Sequence, residues 1–356
     1  MALVTAYTAF DMINPPLMDW SLQGYNSTEI YIADGLNLGV YRGNFTYVPF
    51  GTVSGVLNSF ETSYNGVLQN KISGLTLDAS VVLGLIQSGQ AADLYTLALG
   101  GTDTLVGSAF ADVLDGFGGN DILRGNGGVD YLYGDAGNDS LYGGVGADHP
   151  FGGAGNDLYV FGAGDVIVEA VGGGTDTVQS AISNVMAANV ENLVLTGTAV
   201  INGTGNNLAN RITGNAAANV LSGGVGADTI IAGAGADTLI GGAGRDLLYG
   251  GTDVAGDDFV FAATVQSAVG ATRDVIFNFT AGADDIDLRN IDARASTTAV
   301  NDVFLFHGAT AQANSVWCTV SGANTIVKAD VTGDTVADFE IMVMGVTNLS
   351  AGDFLL

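Results

Sequence analysis

The sequence predicts an all-β chain: a parallel β-solenoid through the middle, flanked by an N-terminal β-rich domain and a C-terminal β-rich domain. Three observations carry that reading. Aspartate recurs every nine residues, at Asp103, Asp112, Asp121, Asp130, Asp139, Asp148 and Asp157. A leucine stands two places behind the first five of them, at Leu105, Leu114, Leu123, Leu132 and Leu141. The stretches leading to each aspartate are rich in glycine, as in GFGGNDILR (116–124), GNGGVDYLY (125–133), GDAGNDSLY (134–142) and GGVGADHPF (143–151). Glycine accepts the positive φ angles of a tight turn. The three residues around each leucine then make one short strand, whose middle residue faces the core. A flexible Gly/Asp-rich linker has no reason to keep an apolar position at a fixed interval.

The unit resembles the G-G-x-G-x-D-x-U-x nonapeptide of RTX proteins, a calcium-binding β-helix repeat. The resemblance implies a parallel β-roll in which two nonapeptides make one coil of ~18 residues, with turns on opposite edges. Alternate aspartates then stack. Asp103, Asp121, Asp139 and Asp157 fall in one column, and Asp112, Asp130 and Asp148 in the other. The turns set backbone carbonyls beside these carboxylates, and clustered hard oxygens suit Ca²⁺. The candidate ligands are therefore the aspartates together with turn glycines Gly116, Gly118, Gly125, Gly127, Gly134, Gly143 and Gly152. Gaps between successive coils would hold up to ~5 ions in this block.

A second block repeats the pattern in GGVGADTII (223–231), AGAGADTLI (232–240) and GGAGRDLLY (241–249). It adds Asp228, Asp237, Asp246, Gly223 and Gly241 to the candidate calcium ligands. The two units ahead of it, GNNLANRIT (205–213) and GNAAANVLS (214–222), carry Asn210 and Asn219 at the aspartate position. Asparagine can bond the turn but adds no charge, so these coils are expected to rely on an asparagine ladder. Arg245 argues against a tightly held ion in the last unit. Between the blocks, residues 158–204 alternate apolar residues at strand spacing with Asn and Gly at the corners, which predicts irregular coils. Glu169 and Asp176 are further candidate ligands there. Pro150 occupies a strand-centre position and predicts a local distortion.

The solenoid is expected over 100–258, with its regular blocks at 100–160 and 205–258. Residues 1–99 lack the nonapeptide. Segments such as GVYRGNFTYVPFG and NGVLQNKISGLTLDA read as short strands joined by Gly/Asn turns, and ADLYTLALGG as another. This domain is expected to cap the first coil, since terminal coils need shielding, and to carry any partner-specific binding. Residues 259–356, including RDVIFNFTAGADDIDLRNID and the terminal Asp353-Phe354-Leu355-Leu356, resemble the C-terminal domain of serralysin-type secreted proteins. That resemblance implies an uncleaved type I secretion signal, read by an ABC transporter in a Gram-negative cell. The N-terminal residues have neither the basic region nor the apolar region of a signal peptide. The spacing of Asp330, Asp334 and Asp338 fits a hairpin turn better than a calcium loop, because the EF-hand order is missing.

Composition narrows the function. The net charge is −28, from 37 acidic and 9 basic residues. Such a chain is a poor partner for nucleic acid or anionic membranes. At 47% hydrophobic it is also unlike a disordered acidic protein. No apolar run is long enough to span a membrane. The single cysteine, Cys318, permits no internal disulfide and reads as a small buried residue. The two histidines, His149 and His307, form no H-E-x-x-H, and no G-x-S-x-G is present. Cys318 and His307 sit in no recognisable catalytic frame. The expectation is a non-enzymatic, secreted, extracellular or cell-surface protein that binds several Ca²⁺ ions. Its expected role is a self-assembling subunit of a surface layer, matrix or filament. The alternative is a secreted ligand-binding module, of hemophore or carbohydrate-binding type, using residues 1–99.

Overall fold

The computed structural model describes residues 101–107, 109–294 and 302–356, together with the backbone of five strands in the first hundred residues. Regular structure is almost all strand; among the described residues the helical content is two 3-10 turns, Thr264–Gln266 and Ala351–Asp353. The chain divides into two compact units, Met1–Asp176 and Thr177–Leu356.

In the first unit, Glu29–Asp34, Asn37–Val48, Thr52–Tyr64 and Val67–Asp78 form an antiparallel meander, with Ala2–Ala6 added in parallel at its edge. Val67–Asp78 then pairs antiparallel with Thr104–Val106, the first strand of the solenoid. The expected strand in ADLYTLALGG lies outside the described residues. From Thr104 onward the chain coils. Thr104–Val106, Ile122–Gly127, Ser140–Val145 and Leu158–Phe161 stack in parallel on one side. Val113–Asp115, Tyr131–Ala136 and His149–Ala154 stack in parallel on the other.

The register aligns Leu105, Leu123, Leu141 and Tyr159 in one ladder and Leu114, Leu132 and Pro150 in the other. All but Pro150 are at most 4% exposed, and Pro150 is buried as well. A narrow core one side chain deep follows from strands this short. The predicted distortion at Pro150 is not what the structure shows: His149–Ala154 keeps register with Tyr131–Ala136 straight through it. The reason is directional. The Pro150 carbonyl accepts from the Val168 N–H on the following coil, and alternation puts the missing proline N–H on that same side. There the pairing is only an isolated bridge, Phe151 to Val168, so little is lost.

In the second unit one ladder aligns Val178, Leu193, Ile212, Ile230, Leu248, Ile276 and Val343. The other aligns Asn184, Gly203, Leu221, Leu239, Phe259, Ile286 and Phe354. Both ladders run on beyond residue 258, so the strands near the C-terminus continue the coil stack. Ser315–Ser321 and Asn324–Ala329 form an antiparallel hairpin, and Asn324–Ala329 pairs with Phe339–Val343 at the side of this sheet. The loop 330–338 is organised by Asp330, whose carboxylate accepts the backbone N–H groups of Asn314, Thr332, Gly333 and Thr335.

The turns explain the glycines. Gly137 has φ of 140°, and a Cβ there would collide with the carbonyl oxygen of Gly119 on the preceding coil. Coils can therefore stack at hydrogen-bond distance only if this position has no side chain.

Candidate metal centre

Each turn ends on an aspartate held in the same way. The Asp103 N–H donates to Oδ1 of Asp121 at 2.7 Å, Asp121 to Asp139 at 2.7 Å, Asp139 to Asp157 at 2.8 Å, and Asp157 to Asp176 at 2.8 Å. On the other edge Asp112 donates to Asp130 at 2.8 Å, Asp130 to Asp148 at 2.9 Å, and Asp148 to Asp165 at 3.0 Å. Two columns of aspartates result, in which each carboxylate from Asp121 and Asp130 onward caps the backbone of the coil before it. The second unit repeats this. Asn210, Asp228, Asp246 and Asp274 are linked in one column, and Asn219, Asp237, Asp257 and Asp284 in the other.

That bond uses only one oxygen of each carboxylate. Oδ2 of Asp103, Asp121, Asp130, Asp139, Asp148, Asp157, Asp228, Asp237, Asp246 and Asp274 is buried without a hydrogen-bond partner. A buried carboxylate oxygen left in that state costs free energy, and native folds rarely keep one, let alone a row. The turn glycines show what surrounds these atoms. The space a Cβ would take at Gly116 lies 2.7 Å from Asp121 Oδ2 and 3.1 Å from the carbonyl oxygen of Gly134. Gly125, Gly134 and Gly223 show the same pair, an aspartate Oδ2 and the carbonyl of the glycine one coil on. Gly143, Gly152 and Gly241 likewise face Oδ2 of Asp148, Asp157 and Asp246. At Gly118 and Gly127 the same space meets the carbonyl oxygens of Ala136 and Val145, at 3.6 Å and 3.7 Å. Asp112 is half-buried.

The asparagines solve the same problem without charge. Asn210 Oδ1 accepts the Asn206 N–H at 2.8 Å, and its Nδ2 donates to the Val190 carbonyl at 3.1 Å. Asn219 Oδ1 accepts from Asn215, and its Nδ2 donates to the Ile201 carbonyl at 2.6 Å. The amide N–H of each thus meets a backbone carbonyl, with no charge left to neutralise.

Besides Asp176, 19 residues after Asp157, four column members fall outside the period of nine: Asp165, Asp257, Asp274 and Asp284. Their separations from the preceding member are 17, 20, 28 and 27 residues. A shorter signal does find them. Each is followed, two places on, by a buried apolar residue: Ile167, Phe259, Ile276 and Ile286. Asp165, Asp257 and Asp284 differ from the regular members, because local N–H groups of Gly162, Gly251 and Thr280 donate to Oδ2.

Burial, reinforced for most members by a carboxylate one coil away, raises the aspartates well above the ordinary value of 3.8. Asp103, Asp121, Asp130, Asp157 and Asp228 are pushed up to about 6, Asp139 and Asp237 to about 7, and Asp274 to about 8. The backbone donors pull the other way but do not offset the burial. Cys318, in Ser315–Ser321, is pushed up by burial to about 12 and stays a thiol.

Residues 98–132, 124–159 and 133–167 match the family of RTX calcium-binding nonapeptide repeats. These are RTX repeats. Residues 196–356 match the Peptidase M10 serralysin C-terminal family. The two matches fall on the first repeat block and on the C-terminal part of the chain, where the RTX nonapeptides and the serralysin-type domain are read from the sequence. No curated protein matches the chain. Among solved structures, it is similar to the AlgE6R2 subunit of the mannuronan C5-epimerase of Azotobacter vinelandii, at 29% identity over 44% of this chain and 92% of that one, with a TM-score of 0.32. The AlgE6R3 subunit of the same enzyme is also 29% identical, over 45% and 82%, with a TM-score of 0.33. The extracellular lipase LipA of Serratia marcescens is 19% identical over 70% of this chain and 40% of that one, with a TM-score of 0.29.

The residues present fit calcium. The orphaned atoms are carboxylate oxygens, their neighbours are backbone carbonyls, and neither imidazole nor thiolate joins them. All-oxygen sets of this kind suit Ca²⁺ rather than Zn²⁺ or Cu²⁺. A cation held there would supply the counter-charge that these Oδ2 atoms lack.

Proposed function

We propose that this protein is a secreted, non-catalytic scaffold whose RTX coils fold on calcium outside the cell, and that it assembles with copies of itself into a surface layer, matrix or filament. The single observation that carries the reading is the row of buried Oδ2 atoms without partners, present in both units. The ligands proposed are the regular aspartates from Asp103 to Asp157 and Asp228, Asp237 and Asp246, with carbonyls of the facing turn glycines. Asp274 extends the set. The C-terminal domain, proposed at 259–356, would serve export through a type I transporter of a Gram-negative cell. The N-terminal domain, proposed at 1–99, would cap the roll of 100–258; the pairing of Val67–Asp78 with Thr104–Val106 supports that role.

Self-assembly draws on the outward side chains. Val113, Val145, Val185 and Val225 stand on strands at 70%, 80%, 74% and 52% exposure. Valines presented on a rigid acidic frame would pack once bound ions offset its charge. Light scattering and electron microscopy of the full chain, in millimolar calcium and in chelator, test this. Ordered polymers in calcium are expected. A monodisperse monomer at high concentration in calcium would overturn the assembly reading and leave a ligand-binding module.

A further inference from the structure

The first repeat block ends in a turn where a second carboxylate meets the repeat aspartate. At Gly116, Gly125 and Gly134 the space of a missing Cβ is bounded by one aspartate Oδ2 and the carbonyl of the glycine one coil on. Gly152 opens the last turn of that column. Its space is bounded by Asp157 Oδ2, the Tyr159 hydroxyl and Glu169 Oε2, the last at 2.8 Å. A second side-chain carboxylate thus joins the aspartate at this turn.

Glu169 is fixed there. The Tyr159 hydroxyl donates to its Oε2, and the Ala170 N–H donates to its Oε1 at 2.6 Å. Asp176 is placed by the column bond from the Asp157 N–H at 2.8 Å. One oxygen from each of Asp157, Glu169 and Asp176 lies within 4.8 Å of the others, and among the described residues no other three ligating side chains meet this closely. Asp157 is 2% exposed, and its Oδ2, aimed into the cluster, has no partner. Asp157 feels the charge of Asp176, and Glu169 feels that of Asp157, so the cluster repels itself until a cation enters.

We propose that Asp157, Glu169 and Asp176 form a divalent-cation site of their own, which takes Ca²⁺ and holds it more tightly than the inter-coil sites of the regular repeats. The inference rests on the calcium-binding reading above. Its basis is charge: calcium affinity follows the number of charged ligands and their rigidity. Three carboxylates converge here, and Tyr159 and the Ala170 N–H pin one of them.

The test is calcium titration of the full chain by calorimetry, for the wild type, Glu169→Gln and Asp139→Asn. Glu169→Gln keeps the shape and removes the charge. It should weaken the tightest ion by roughly tenfold or more and leave the remaining ions in place. Asp139→Asn should lose a weaker ion and keep the tightest one. A Glu169→Gln titration that superposes on the wild type would overturn the proposal. Should that variant fail to fold, terbium-soaked wild-type crystals decide: an anomalous peak among the three carboxylates supports the site, and its absence there overturns it. If the wild type binds no calcium at all, the broader reading fails instead.

Discussion

At the scale of the residue, a regular aspartate such as Asp139 divides its work between two oxygens. Oδ1 caps a backbone N–H of the preceding coil, and Oδ2, buried without a partner, is the oxygen proposed to meet a cation. Asp139→Ala removes both, and leaves the Asp121 N–H without the acceptor it has at 2.7 Å. The expected result is loss of at least one bound ion together with a stability loss of about 1–3 kcal/mol from the orphaned donor alone. Asn210→Ala should cost a similar amount of stability and no ion, because Asn210 already satisfies the Val190 carbonyl with its own amide. Calcium counting and chemical denaturation of the two variants separate these outcomes.

The same carboxylates make the metal-free fold sensitive to pH. Folding raises them from 3.8 to between about 6 and about 8. A group with a raised value favours the folded state fully below its unfolded value, and that favour is lost as pH rises through the folded value. In chelator, stability should therefore fall as pH climbs from about 4 to about 8. Calcium needs the ionised form, so affinity should weaken as pH drops through the same range. Denaturation midpoints in chelator that rise with pH would contradict the burial of these groups.

At the scale of the element, the strand centres and the turns set the register. Leu132 and Leu221 are 0% exposed and sit in ladders only one side chain deep. Replacing either by alanine should cost about 2–5 kcal/mol, measured by denaturation in calcium. Gly137→Ala should be worse tolerated than Gly172→Ala. Both have positive φ, but only the first meets the backbone of a neighbouring coil, while the second points into open space.

The elements also divide what a reader of the chain can see from what only folding reveals. Strict spacing places Leu105 to Leu141 and the regular aspartates, because inside the Gly-rich block chain distance and coil distance are the same. It fails for Asp165, Asp257, Asp274 and Asp284, where loops of other lengths bring the chain back to the same ladder. Packing of a buried apolar residue fixes register there, so the aspartate and the apolar residue two places on survive where the period does not. Pro150 breaks the pattern in sequence and not in space, since a missing N–H matters only where a partner would have received it. Glu169 is visible in the sequence as a carboxylate but not as a neighbour of Asp157 and Asp176, since only stacked coils bring the three together.

At the scale of the whole molecule, calcium, folding and export are one problem. A chain with a net charge of −28 and columns of buried carboxylates should stay extended where calcium is scarce and fold where it is abundant. Deleting residues 300–356 should abolish export from a cell with a type I transporter, whereas deleting 2–60 should not; secretion of the C-terminal deletion would refute the assignment. The central claim is that ion binding is the folding energy of the coils. Hydrogen exchange on the full chain at neutral pH tests it most directly, in millimolar calcium and in chelator. Slow exchange is expected in calcium at the backbone amides of Asp103, Asp121, Asp139, Asn210 and Asp228, and fast exchange at all of them in chelator. Equal protection in both conditions would contradict the claim.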